Sequence, residues 1–248
     1  MDLNSRVQSS IKPFRTIRPA SKKIIFYSCE GVVTEEEYFS ILSHDIFSNI
    51  KEKLTLATVR EDFINTPKKD RSQQDYDEQN KSTPLQVMER MKQFKIDKAS
   101  TYKFSENLDD EFWLVIDVDD HTDKYHIDEF NFVIKESRKP ENNFKLAVTN
   151  PFFEFWLFAH HLSVTDEAKA HANTVNNPFF RNKMSDEANV NLINDKKPEA
   201  KDYNKQKIIK AVEACKELHT DKSEYYPSQL GSHVYLLVQQ LIELSDSF

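Results

Sequence analysis

Lys23-Ile24-Ile25-Phe26-Tyr27-Ser28-Cys29-Glu30-Gly31 is the stretch whose reading decides the fold. From Ile24 to Cys29 it is a nearly continuous apolar run, as in a strand covered on both faces. It ends on a carboxylate and on one of only two glycines in 248 residues. Thr34-Glu35-Glu36-Glu37 follows at once. Thr34 as N-cap with Glu37 three residues on predicts a capping box, and the glutamates suit the positive end of a helix. Glycine tolerates positive φ and lets other groups approach the backbone closely, so a structural need at Gly31 is expected.

Working outward, the same strand–helix alternation repeats. Tyr38, Ile41, Leu42 and Ile46 form a helical stripe, and 54–59 reads as a second strand. Residues 65–83 are a polar loop. Thr83-Pro84 opens a helix, with Pro at its first position and Val87, Met91 and Phe94 on its apolar face. A strand over 112–117 precedes a helix from about Thr122, with Ile127, Phe130 and Ile134 facing inward. A turn at 140–143 leads to a strand over 144–149 and an apolar helix over 152–161. Such alternation predicts a parallel sheet with helices on both faces. The stretch 163–203, rich in Asn, Asp, Lys and Ala, interrupts it. Two helices then close the chain, carrying Ile208, Ala211, Val212 and Cys215, then Val234, Leu237, Val238 and Leu241.

Composition narrows the function. Thirty-four basic against 41 acidic residues give a net charge of −7, which argues against a surface coated for non-specific DNA binding. Residues 1–23 hold six basic residues, Arg6, Lys12, Arg15, Arg18, Lys22 and Lys23, against one acid, Asp2, and read as a solvated tail or an arm on nucleic-acid phosphates. Cys29 and Cys215 have no CxxC spacing, so no disulfide framework is expected and a reducing cytoplasm fits. No signal peptide and no membrane-spanning apolar run are visible in the sequence.

Asp117-Val118-Asp119-Asp120 ends the strand 112–117. In open parallel sheets, ligands bind beyond the carboxyl ends of the strands. Alternation along an extended chain points Asp117 and Asp119 to one side and Val118 to the other. With Glu30 from another strand they would form an oxygen-rich pocket for Mg²⁺ or Mn²⁺. Without a cation these acids repel one another. A solvated turn that caps the next helix is the competing reading of Asp119 and Asp120.

Other residues are expected in support. Asn150 is placed to order a strand end. Glu154, in a very apolar helix, needs a partner: the metal site, a basic group or a buried hydrogen bond. Spacing would let it share a helix face with His161. His121 follows the acidic cluster, where an exposed turn histidine is the commoner case. Lys205 is a candidate for neutralising a scissile phosphate, although a surface charge at a helix start is the commoner case. No P-loop, dinucleotide motif, zinc-type spacing or nucleophile elbow is present in the sequence.

Cys29-Glu30-Gly31-x-x-Thr34-Glu35-x-x-Tyr38-Phe39, Asp117-Val118-Asp119-Asp120-His121 and Asn150-Pro151-x-Phe153-Glu154-x-Trp156 resemble the RloB-like family in order and spacing. Pro227 and Val234-Tyr235-x-Leu237-Val238 match that family's C-terminal end. Phe152 and the pair Val32-Val33 depart from its pattern without touching the acids. The family is regarded as related to the Toprim fold of topoisomerases, bacterial primases and overcoming-lysogenization-defect nucleases. The resemblance implies a general acid/base role for Glu30 and metal binding by Asp117 and Asp119. It implies a nuclease-like effector, encoded beside an ATPase in restriction or abortive-infection loci.

The expectation is an α/β, Toprim-like parallel sheet flanked by helices. A basic arm (1–20), the α/β domain (21–162) and a helical C-terminal extension packed on it (163–248) divide the chain. The expected function is Mg-dependent cleavage of DNA or RNA, tRNA included, in antiphage defence, under an ATPase partner and without a membrane. A homodimer is compatible with this. The rivals are a non-catalytic module that binds the ATPase, or a nucleotidyl- or phosphotransferase using the same pocket.

Overall fold

The computed structural model describes residues 22–31, 33–59, 83–104, 109–118, 124–161 and 198–247, with 124–126 described by backbone alone. The basic arm, Asp119, Asp120, His121 and nearly all of the 163–203 stretch lie outside the described residues.

Five strands form one sheet among these residues: β1 (Lys23–Cys29), β2 (Leu54–Thr58), β3 (Glu111–Asp117), β4 (Phe144–Asn150) and β5 (Gly231–Ser232). Their spatial order is β2-β1-β3-β4-β5. The first four are mutually parallel and β5 runs antiparallel to β4. The helices are α1 (Thr34–Ile41), α2 (Pro84–Tyr102), α3 (Lys124–Ser137), α4 (Glu154–Phe158), α5 (Lys205–Leu218) and α6 (Val234–Asp246). The expected α/β architecture is therefore observed.

Period-two alternation sorts β1 into two cores. Ile25, Tyr27 and Cys29 face α1, α4, α5 and α6, while Ile24 and Phe26 face α2 and α3. Phe26 centres the second core. Its ring lies 5.0 Å from Phe94, 5.0 Å from Tyr102, 5.5 Å from Phe104 and 5.4 Å from Phe112. The α5 and α6 residues expected to be apolar anchors, from Ile208 to Leu241, are all buried in the first core.

Several local expectations change. Helix α1 has Val33 at its N-cap and no side-chain cap, so Thr34 and Glu37 form no capping box. A capping box does occur at Thr83, whose hydroxyl accepts from the Gln86 amide while Gln86 accepts from the Thr83 amide. Ile127 is exposed, and Val133 takes the inward place beside Phe130 and Ile134. The helix expected over 152–161 is regular only over Glu154–Phe158. Strand β5 is too short to leave an alternation pattern.

Phe26→Ala is expected to lower unfolding free energy by about 3–5 kcal/mol, because it empties the centre of an aromatic cluster. Ile96, 71% exposed, serves as control, and Ile96→Ala is expected to change stability by no more than about 0.5 kcal/mol. Urea denaturation measures both.

Candidate functional site

The strand order places a topological switch point between β1 and β3. The chain leaves β1 for β2 on one side and leaves β3 for β4 on the other. Beyond the carboxyl ends of such a pair lies the crevice in which open α/β sheets bind ligands. Register sets Cys29 beside Val115, so Glu30 and Asp117 meet at this crevice. The Glu30 amide donates to the Val115 carbonyl at 3.2 Å. The Asp117 amide in turn donates to Glu30 Oε2 at 3.3 Å.

Asp117 is fixed from the other side as well. Its Oδ2 accepts from the Phe153 amide at 3.0 Å, where the chain turns into α4. The Val118 amide donates to the Thr149 carbonyl at 2.8 Å, which keeps the backbone extended past Asp117. Val118 packs on the α2–α3 side, opposite to Trp113 and Val115. The alternation expected for Asp117 and Val118 is thus seen.

Gly31 does not adopt a positive φ. Its amide donates to Glu35 Oε1 at 3.2 Å. A Cβ at this position would meet the Glu35 carboxylate, the movable end of a long side chain. Glu35 therefore reaches back from α1 and lies against the loop that follows Glu30. Burial pushes its carboxyl up from the ordinary 4.5 to about 7; backbone hydrogen bonds oppose this and the charge of Glu154 adds to it. Glu154, at the start of α4, thereby belongs to the same end of the sheet. Glu35 escaped sequence reasoning because three successive glutamates read as a helix-start signature.

Arg90 was also missed. From α2 its Nε donates to Ser28 Oγ at 3.0 Å, and its Nη2 donates to the Cys29 carbonyl at 2.8 Å. The only available signal was a cation within the apolar stripe of Val87 and Met91.

Asn150 is the last residue of β4. Its Nδ2 donates to the Pro227 carbonyl at 2.9 Å, and its backbone pairs with Gly231. His161 lies beyond the short α4 and packs on Tyr203, so it shares no helix face with Glu154. The neighbouring His160 is wholly buried. Its Nδ1 faces the Trp156 carbonyl at 3.0 Å, which can only accept, so Nδ1 carries the proton and Nε2 accepts from the Tyr38 hydroxyl at 3.1 Å. Burial pushes this imidazole down to about 3, consistent with a structural, neutral histidine.

Lys205 does not join the acids. Its ammonium binds Asp246 and Ser245 at the end of α6. Helix α6 begins near the carboxyl end of β4, where the His233 amide donates to the Val148 carbonyl. By Gln240 it has reached Lys23 and Glu111, the first residues of β1 and β3. Lys205 therefore sits toward the amino end of the sheet, opposite to Glu30 and Asp117.

The chemistry of the donor set fits a hard divalent cation. Glu30 and Asp117 offer carboxylate oxygens from adjacent strands, as Mg²⁺ and Mn²⁺ prefer. Among the described residues no three His, Cys, Asp or Glu side chains form a complete ion cage. Asp119, expected as the third donor, lies outside them.

The raised Glu35 fixes a pH dependence. Below about 4.5 the carboxyl is protonated in both folded and unfolded chains. Between 4.5 and about 7 only the folded protein holds the proton. Stability is therefore expected to fall as pH rises through that window and to level off above it, with a total contribution of roughly 3 kcal/mol. Glu35→Gln should flatten this part of a thermal-stability profile measured without divalent ions.

No curated protein and no solved structure matches the chain. The family model described as RloB-like protein matches residues 25–241, a span that runs from β1 into α6 and holds Glu30, Asp117 and Glu154. The chain belongs to the RloB-like family.

Proposed function

We propose that this RloB-like protein is a metal-dependent nuclease effector of antiphage defence. It cleaves nucleic-acid phosphodiesters under the control of an ATPase partner. The observation that carries this reading is the meeting of Glu30 and Asp117 at the β1–β3 switch point. A divalent ion such as Mg²⁺ or Mn²⁺, held by Glu30, Asp117 and Asp119, supplies polarisation of the phosphate and neutralises developing charge when bound.

The chain's own residues do the rest. Glu30 accepts the proton of the attacking water, or returns one to the leaving oxygen, from a carboxylate steadied by the Asp117 amide. Asp117 is held in place by the Phe153 amide. Glu35 holds a proton near neutral pH beside the Glu30–Gly31 loop. Asn150 ties the Pro227 segment to the rim of the sheet. The net charge of −7 favours a substrate delivered or gated by a partner over free scanning of DNA. No helix among the described residues is long and apolar enough to cross a membrane.

Three measurements test this reading. MgCl₂ or MnCl₂ should raise the melting temperature, since an ion that binds only the folded state stabilises by mass action. The double variant Asp117→Asn, Asp119→Asn should lose that response, and an unchanged response would place the ion elsewhere. Glu30→Gln should lower cleavage by about 10²–10⁴-fold while the fold and partner binding persist. Wild type and variant, each expressed with the neighbouring ATPase, should then differ in protection during phage challenge. Equal protection would instead favour a non-catalytic module of the ATPase complex.

A further inference from the structure

The peptide that joins Cys29 to Glu30 is held on both sides. Its N–H donates to the Val115 carbonyl of β3. Its carbonyl accepts from Arg90 Nη2 at 2.8 Å. Arg90 Nε also donates to Ser28 Oγ at 3.0 Å, and Ser28 is wholly buried. One planar guanidinium thus grips the two residues that precede Glu30.

Local topology shows where this arginine acts. Strand β2 ends at Thr58, and among the described residues the last bond from this side reaches β1 where the Val59 amide donates to the Tyr27 carbonyl at 2.7 Å. Carbonyls two residues apart along a strand point the same way. The Cys29 carbonyl therefore faces the β2 side one step beyond the last ladder bond among the described residues, and there it accepts from Arg90. The rigid fork of donors matches two acceptors at once, which a lysine ammonium cannot reproduce.

We propose that Arg90 is a positioning residue for Glu30: by fixing the Cys29–Glu30 peptide it aims the Glu30 carboxylate at the crevice shared with Asp117. This rests on the reading of Glu30 as the acid that serves the metal and the proton. The guanidinium acts through Glu30, so its removal and the removal of the Glu30 charge are not independent.

Amide hydrogen exchange tests this without metal. The Asp117 amide donates to Glu30 and reports its position. In Arg90→Gln that amide should exchange about tenfold faster or more, while the amides of Leu114 and Val148 keep their wild-type rates. Glu30→Gln should accelerate it as well, and the double variant should be no faster than the faster single variant. Additive effects, or an unchanged Asp117 amide in Arg90→Gln, would overturn the proposal. Should Arg90→Gln loosen every amide, Arg90→Lys and Ser28→Ala decide. Acceleration confined to Glu30 and Asp117 supports positioning, and uniform acceleration overturns it.

Calorimetric titration with MnCl₂ separates this inference from the metal reading. If wild type binds the ion, Arg90→Gln should weaken binding by about 10–100-fold, and equal affinities would overturn the positioning role. Failure of wild type to bind would overturn the metal reading alone, because the exchange experiment still decides the role of Arg90.

Discussion

The parallel pairing of β1 with β3 is the constraint on which the rest of the molecule depends. It sets Phe26 beside Phe112, Tyr27 beside Trp113 and Cys29 beside Val115. A slip of one residue would turn every side chain of one strand to the opposite face. The two cores forbid such a slip. Phe26 and Phe112 stack on the side of α2 and α3, while Tyr27 and Trp113 lie on the side of α1 and α6. Large rings on both faces therefore specify the register, and the register delivers Glu30 and Asp117 to the same crevice. Core packing and site geometry are one decision.

The two ends of the sheet handle charge differently. At the amino end, Glu111 bridges Lys23 at 2.6 Å and Lys145 at 2.7 Å, and it accepts from Trp113 and Gln240. Burial works against its charge, yet these partners hold the carboxyl down to about 2. At the carboxyl end, backbone amides of Gly31, Asp117 and Phe153 serve Glu35, Glu30 and Asp117. Glu35 there is pushed up, not down. Among the described residues, the amino end thus matches an acid with bases, while the carboxyl end brings acids together against backbone amides. Such departures from the local rules of stability are commonest at functional sites.

Much of this was legible in the sequence. The apolar runs gave the four parallel strands nearly to the residue, because strands buried on both faces leave a dense signal. Glu30 and Asp117 were readable because acids at the ends of such runs are unusual for a core and usual for a crevice. Gly31 stood out by rarity, but it has no positive φ, and what lies nearest to it is the Glu35 carboxylate. What stayed hidden depends on tertiary approach. Glu35 and Arg90 look like ordinary helix-surface charges until the fold brings them to the tip of β1. Strand β5 is two residues long, and its pairing is imposed by the edge of β4 and not by propensity. Lys205 showed the converse: a lysine beside a helix start has no address until the direction of α6 is known.

We propose the crevice between β1 and β3 as a divalent-ion site. The most direct measurement is anomalous diffraction from crystals of the whole chain soaked in MnCl₂. The account predicts a manganese peak in the crevice, coordinated by Glu30 and Asp117, in wild type and its loss in Asp117→Asn. A wild-type map with no peak there, or with manganese bound only at another place on the molecule, would contradict it.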